Sequence, residues 1–171
     1  MGNWEDKKEV QKGDVGEIMV DNYLKEIGII PYSSIVDKKH PFDRLCSTED
    51  KRTLFIAEVK TKSRRTYYPD TGIDYRHYEQ YKYIQTKYNI RIRLFFVDEH
   101  QKQIYGNYLD ELEKEITIIH NNREIKYPLI DIKSKSPIIY FPLVYMKKIK
   151  DINDIESDML KDLSTRNYKY E

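Results

Sequence analysis

The sequence predicts an α/β fold: a mixed central sheet flanked by helices, with a β-rich C-terminal extension. Three observations predict it. Residues 53–61 (TLFIAEVKT) and 90–97 (IRIRLFFV) are β-branched and aromatic runs with the character of buried strands. Between them, residues 75–88 show helical periodicity, bounded by Asp74 as a cap and Asn89 as a stop. An amphipathic stretch at residues 13–28 precedes this unit, and short strand-like segments dominate the chain after residue 98. Strand, helix, strand, then more strands is the order of a mixed sheet with helices on its faces.

The elements run in order. Residues 1–12 form a polar arm. Residues 13–28 carry Val15, Met19, Val20, Tyr23, Leu24 and Ile27 near the 3.6-residue period, with Asp14 as N-cap and Gly28 as stop. An extended stretch from Ile29 to Val36 contains Pro31, and Lys38, Lys39 and Pro41 mark a loop. Phe42 to Cys46 reads as a short strand joined by a polar turn to the strand at 53–61. Residues 62–72 read as a basic, aromatic loop. After the strand at 90–97, Asp98 and Glu99 read as turn acids, Ile104 to Tyr108 as a returning strand, and 109–115 as a short helix. Ile116–His120 and Ile125–Ile130 flank Asn121-Asn122 as a hairpin. Ile138 to Lys148 is a last strand in which Pro142 implies an edge or a bulge. Residues 153–163 form a terminal helix on the stripe Ile152, Ile155, Met159, Leu163. The expected organisation is a core at 1–109 with an extension at 110–171 packed on the same domain.

Composition narrows the function. The chain has 171 residues, 35% of them charged, and a net charge of +1. It is too apolar for a disordered chain and too poor in Gly and Pro for a low-complexity one. The single cysteine, Cys46, excludes an intrachain disulfide and a cysteine-based zinc site, and fits a reducing, cytoplasmic setting. The N-terminal residues are charged and lack an apolar run, so no secretory signal is expected. No stretch is apolar enough to span a membrane, and Asp6 breaks the myristoylation pattern after Gly2. The four histidines lack zinc-hydrolase spacing, and no phosphate-binding glycine motif occurs. Two blocks, 58–93 and 126–150, each carry a local +5 and can present a basic face; the plainer reading is a surface coated with mixed charge.

One constellation carries chemistry. Glu58 and Lys60 end an otherwise apolar strand, and alternation points both to one face, about 7 Å apart. Pairing the neighbouring strand brings Asp43 beside Glu58. Two adjacent carboxylates repel until a divalent cation binds between them, and their hard oxygens suit Mg²⁺, with Mn²⁺ as a substitute. The Lys60 ammonium can then hold or deprotonate a metal-bound water, and such a water can attack a phosphodiester.

Asp, a short spacer and then Glu-x-Lys on the next strand resembles the signature of the PD-(D/E)XK nuclease superfamily. Here it reads PFD at residues 41–43 and EVK at 58–60. Glu17 on the first helix resembles the helix glutamate of the archaeal Holliday-junction-resolvase-like branch. The resemblance spans residues 13–88 and implies a restriction-endonuclease-like core. It implies Asp43, Glu58 and the Val59 carbonyl as metal ligands, Lys60 orienting water, and Glu17 assisting the metal or its water. The other reading of Glu17 is a first-turn acid favoured by the helix dipole.

The resemblance also implies DNA as partner and a homodimer, for which Ile116–Ile119 and Ile138–Val144 offer apolar surface; no membrane partner is expected, since no apolar span occurs. Expected DNA contacts are Lys62, Arg64, Arg65, Tyr67 and Tyr68 in the loop, and Arg76 and Gln80 on the following helix. The activity implied is metal-dependent endonuclease cleavage of DNA. The competing readings are an inactive nucleic-acid-binding module of the same fold, or an interaction protein whose charges are only surface.

Overall fold

A computed structural model describes residues 7–33, 42–133 and 136–164. The start of the polar arm, the 34–41 stretch with Lys38, Lys39, His40 and Pro41, and the last seven residues lie outside these.

The central sheet has six strands: β1 (Ile29–Tyr32), β2 (Arg44–Thr48), β3 (Leu54–Thr61), β5 (Arg91–Asp98), β6 (Gln103–Tyr108) and β11 (Lys147–Asp151), in the order β1-β2-β3-β5-β6-β11. The β3–β5 pair is parallel and the other neighbours are antiparallel. A parallel pair needs a crossover, and β4 (Asp70–Asp74) with α2 (Tyr75–Tyr88) supplies it.

Both faces of the sheet are covered. Helices α1 (Lys8–Glu26) and α4 (Asp154–Asp162) bury Met19, Val20, Leu24 and Leu160 against Phe55, Ala57, Val59, Phe95 and Val97. On the other face α2, the short α3 (Leu109–Leu112) and β10 (Ile138–Pro142) bury Tyr81, Ile84, Leu109, Leu112, Ile139 and Phe141 against Ile56, Leu94 and Phe96. This explains the apolar run Leu94–Val97 within β5, since a strand covered on both sides has no polar face there. Each large side chain so buried contributes about 1.5–3 kcal/mol before conformational entropy is charged.

The extension is woven into this architecture. β11 joins the central sheet beside β6. β10 is the middle strand of a second sheet, β4-β10-β9, with β9 at Leu129–Asp131. β7 (Ile116–His120) and β8 (Arg123–Tyr127) form a hairpin at the expected turn, where both Asn121 and Asn122 adopt positive φ; its second strand does not run to Ile130 as expected but ends at Tyr127, and Leu129–Asp131 belongs to the other sheet.

Several expectations need correction. α1 begins at Lys8, so Asp14 lies inside it and caps nothing. The extra turns are anchored from a distance: Lys12 forms a buried ion pair with Glu99 of the β5–β6 turn. Asp98 and Glu99 are therefore not ordinary turn acids; both are fully buried and ion-paired. The segment 70–74 is a strand, because it pairs with β10 far along the chain. Pro142 ends β10 beyond the reach of β9, which pairs only with Ile138–Tyr140, so it takes a local edge position without a bulge; a single 3₁₀ turn, Leu143–Tyr145, follows, and the segment is not one strand to Lys148. The α4 stripe is rotated. Ile155 is 83% exposed and Met159 half-exposed, whereas Ser157 and Leu160 are buried. The Asn153–Glu156 capping box and the Ser157 hydroxyl, which donates to the Glu99 carbonyl, set that phase. Ile139 to Pro142 are buried within the chain, so the apolar surplus of this segment is spent on its own core. No helix among the described residues is long and apolar enough to cross a membrane.

Candidate active site

β2 and β3 pair with Arg44 opposite Ala57, which carries Asp43 to the position facing Glu58. The backbone knits the two acids together. The Asp43 N–H donates to Glu58 Oε2 at 3.3 Å, and the Val59 N–H donates to Asp43 Oδ2 at 2.7 Å. Glu58 is only 3% exposed. A buried carboxylate needs donors, and Glu58 Oε1 takes two: Lys60 Nζ and the Tyr81 hydroxyl from α2. That leaves Oε2, on the Asp43 side, as its less occupied oxygen.

The electrostatics follow from this crowding. Burial and the neighbouring Glu58 charge push the Asp43 carboxyl up to about 6, against the opposing pull of the Val59 N–H. Burial alone lowers the Lys60 ammonium, but Glu58 outweighs it, and the net shift is upward. Lys60 is thus held as a cation. Burial and Glu58 likewise raise the Tyr81 phenol, which stays a donor.

Glu17 reaches this group from α1. Gly16 makes the approach feasible: a Cβ there would lie 1.9 Å from Thr61 Oγ1, so only glycine lets α1 sit this close to the end of β3. Glu17 pairs with Arg44 Nη1 at 3.0 Å. Its carboxyl is raised by burial and by the charge of Asp43, with Arg44 opposing. Glu17 therefore lies within the field of Asp43.

Sequence reasoning missed three contributors. Arg44 bridges Glu17, Asp21 (3.0 Å) and the Asp43 carbonyl (2.8 Å), fixing Asp43 from behind. Its signal was available, since Arg44 follows Asp43 directly and Glu17 and Asp21 are one helical turn apart. Tyr81 was read only as core, and its hydroxyl bond to Glu58 depends on tertiary packing. Asp74 and His77 are the third. Their side chains are 4.0 Å apart, and His77 is lowered by burial and by the charge of Lys60, so this end of α2 faces the same site.

The loop after β3 differs from expectation. Arg64 pairs with buried Asp98 at 3.0 Å and lies over the Tyr105 ring. Arg65 forms two hydrogen bonds to fully buried Asp70 and is sandwiched between the Tyr68 and Tyr140 rings. Lys62 Nζ donates to the Gly72 carbonyl at 2.8 Å. These cations are used to fold the loop back, which argues against a primary phosphate role. Tyr67 remains 71% exposed and Arg76 is exposed on α2. Gln80 is exposed too, but it lines an apolar groove and not the acid pair.

The donor set fits a hard divalent cation of modest coordination demand. Among the described residues no group of three or more His, Cys, Asp or Glu side chains could hold a metal alone. Mg²⁺ commonly takes one or two carboxylates and completes its shell with water. Asp43 and Glu58 meet that pattern, and the mutual charge that raises Asp43 is what such a cation relieves.

No known family profile matches the chain, and no curated protein sequence matches it. Among solved structures, it is similar to that of Hjc, a Holliday junction resolvase from the archaeal hyperthermophile Archaeoglobus fulgidus. The identity is 12% and the TM-score 0.49, over 78% of this chain and 90% of that chain.

Proposed function

We propose that the chain is a metal-dependent endonuclease that hydrolyses phosphodiester bonds in DNA, with a restriction-endonuclease-like core. The observation that carries this reading is the pair formed by buried Glu58 and partly buried Asp43, with Lys60 held as a cation against it. Two adjacent acids, one of them buried, are a liability for stability and an asset only when a cation is bound there.

Asp43, Glu58 and the Val59 carbonyl are the proposed ligands for Mg²⁺, with Mn²⁺ as a substitute. When bound, the ion would supply Lewis acidity toward the phosphodiester and an acidified water. The chain's own residues do the rest. Tyr81 and Lys60 occupy Glu58 Oε1 and so aim Oε2 at Asp43. Arg44 holds Asp43 through its carbonyl. Lys60, held as a cation against Glu58, is placed to orient the attacking water and to stabilise negative charge on phosphate. Glu17, paired with Arg44 and within the field of Asp43, is the proposed positioning acid. Tyr67 and Arg76 are the proposed remaining DNA contacts.

Isothermal titration with Mn²⁺ tests the ligand assignment. Wild type should show saturable binding that Glu58→Gln loses; binding that survives this substitution would remove the site. Cutting a junction needs two incisions, and a two-fold dimer is the assembly that provides them. Light scattering, together with cleavage of a four-way junction against its duplex arms, tests that part. A monomer without junction preference leaves a general nuclease.

A further inference from the structure

Beside the acid pair, on the same face of β3, lies an apolar groove of about 470 Å³. Phe42, Leu45 and Ile56 form one wall, and Tyr83, Ile84 and Tyr88 of α2 form the other. Its position is fixed by the strands. Phe42 precedes Asp43 directly. Ile56 lies two residues before Glu58 on the same face, which is about 7 Å along the strand. A phosphodiester held at Asp43 and Glu58 therefore has an adjacent nucleoside over this groove.

The lining states what can enter. It contains no charged residue, so a phosphate has no partner inside. Tyr83 and Tyr88 are 58% and 56% exposed, an apolar aromatic rim open to solvent. Lys87 stands at that rim: its Nζ donates to the Tyr83 hydroxyl at 2.8 Å and lies 5.1 and 5.4 Å from the Tyr83 and Tyr88 ring centroids. The polar exception is Gln80, whose amide offers a donor and an acceptor to the edge of a heterocycle. An apolar slot with aromatic walls, one amide and an external cation matches a nucleobase with its backbone phosphate outside. A base within continuous duplex cannot fill it, because both of its faces are covered and its pairing edge is occupied.

We propose that this groove binds one unpaired nucleobase next to the bond to be cut, so that the substrate class is DNA with an unpaired nucleotide at the cleavage site. This rests on the nuclease reading above and narrows it.

The test uses the full chain and one DNA strand annealed to give either continuous duplex or a single unpaired nucleotide at a fixed position. The fluorescent adenine analogue 2-aminopurine occupies that nucleotide. Cleavage with Mg²⁺ should be about tenfold faster on the unpaired form, the scale of one base stacked on an aromatic ring. The Tyr83→Ala, Tyr88→Ala double variant should lose that preference, and replacement of both by Phe should restore it. In the Asp43→Asn protein, which does not cut, binding should change the 2-aminopurine emission, and the two alanines should abolish the change. Both tyrosines are more than half exposed, so thermal melting should be little altered. Equal cleavage of both DNAs by wild type and by the alanine variant overturns the groove while leaving the nuclease. A tyrosine-dependent emission change without any cleavage by wild type keeps the groove and removes the catalytic reading. Absence of that emission change with DNA bound overturns the proposal.

Discussion

Asp43→Asn should stabilise the fold while abolishing metal binding. Burial and the Glu58 charge raise the Asp43 carboxyl from its ordinary 3.8 up to about 6. At pH 8 that group is ionised in the folded and the unfolded chain alike. The folded state then carries an ionisation cost of about 3 kcal/mol as an upper figure, and about 1–3 kcal/mol once partial solvent screening is included. The sign follows from linkage. The folded chain binds this proton more tightly, so between about pH 4 and about pH 6 it holds more protons than the unfolded chain. Stability from this group falls as pH rises through that window and is flat above it.

Asparagine cannot ionise, yet its amide oxygen can still accept the Val59 N–H that Asp43 Oδ2 takes at 2.7 Å. Urea unfolding in EDTA should therefore show the variant more stable by about 1–3 kcal/mol at pH 8. The difference should close by about pH 4. Added Mn²⁺ should raise the unfolding midpoint of wild type only, by mass action. A variant less stable than wild type at pH 8, or a difference that ignores pH, refutes the argument that the two acids repel within one site.

Three further outcomes rest on the same geometry. Lys60→Ala should lose cleavage but retain Mn²⁺ binding in calorimetry, since an ammonium is no metal ligand; lost binding reverses the role assigned to Lys60. Arg65→Ala should destabilise the chain by about 3–5 kcal/mol in urea unfolding, because it leaves the fully buried Asp70 without its cation; a neutral effect on stability with weakened DNA binding returns Arg65 to the phosphate-contact role. Gly16→Ala should lower stability by about 1–3 kcal/mol through the clash with Thr61 and should reduce cleavage by displacing Glu17; wild-type behaviour in both assays shows that α1 can shift without consequence.

The features legible in the sequence were local or periodic. α2 was readable residue for residue: Asn89 adopts the left-handed conformation that ends it, and Asp74 stands at its start, although the Asp74 side chain makes no capping hydrogen bond there. β3 and β5 were readable from their apolar stretches, Leu54–Ala57 and Leu94–Val97, since strands covered on both faces lack a polar side there. The adjacency of Asp43 and Glu58 followed from hairpin pairing and alternation alone. The features that stayed hidden were set by partners distant in the chain. The early turns of α1 depend on Lys12 meeting Glu99, and β4 depends on β10. A basic loop looks the same in sequence whether its arginines face solvent or buried acids, and only packing against Asp98 and Asp70 decides it. Gln80 and Tyr81 are neighbours on one helix. Which of them reaches Glu58 is a matter of one helical position, and the structure gives that place to Tyr81.

The central claim is metal-dependent cleavage at Asp43 and Glu58, and plasmid nicking tests it most directly. Wild type and Glu58→Gln, purified in parallel, are incubated with supercoiled, linear, single-stranded and branched DNA in Mg²⁺, Mn²⁺ or EDTA. The account predicts cleavage of at least one DNA by wild type with either metal, none in EDTA, and none by Glu58→Gln under any condition. Cleavage that persists in EDTA or in Glu58→Gln, or no cleavage of any DNA by wild type with either metal, would contradict it.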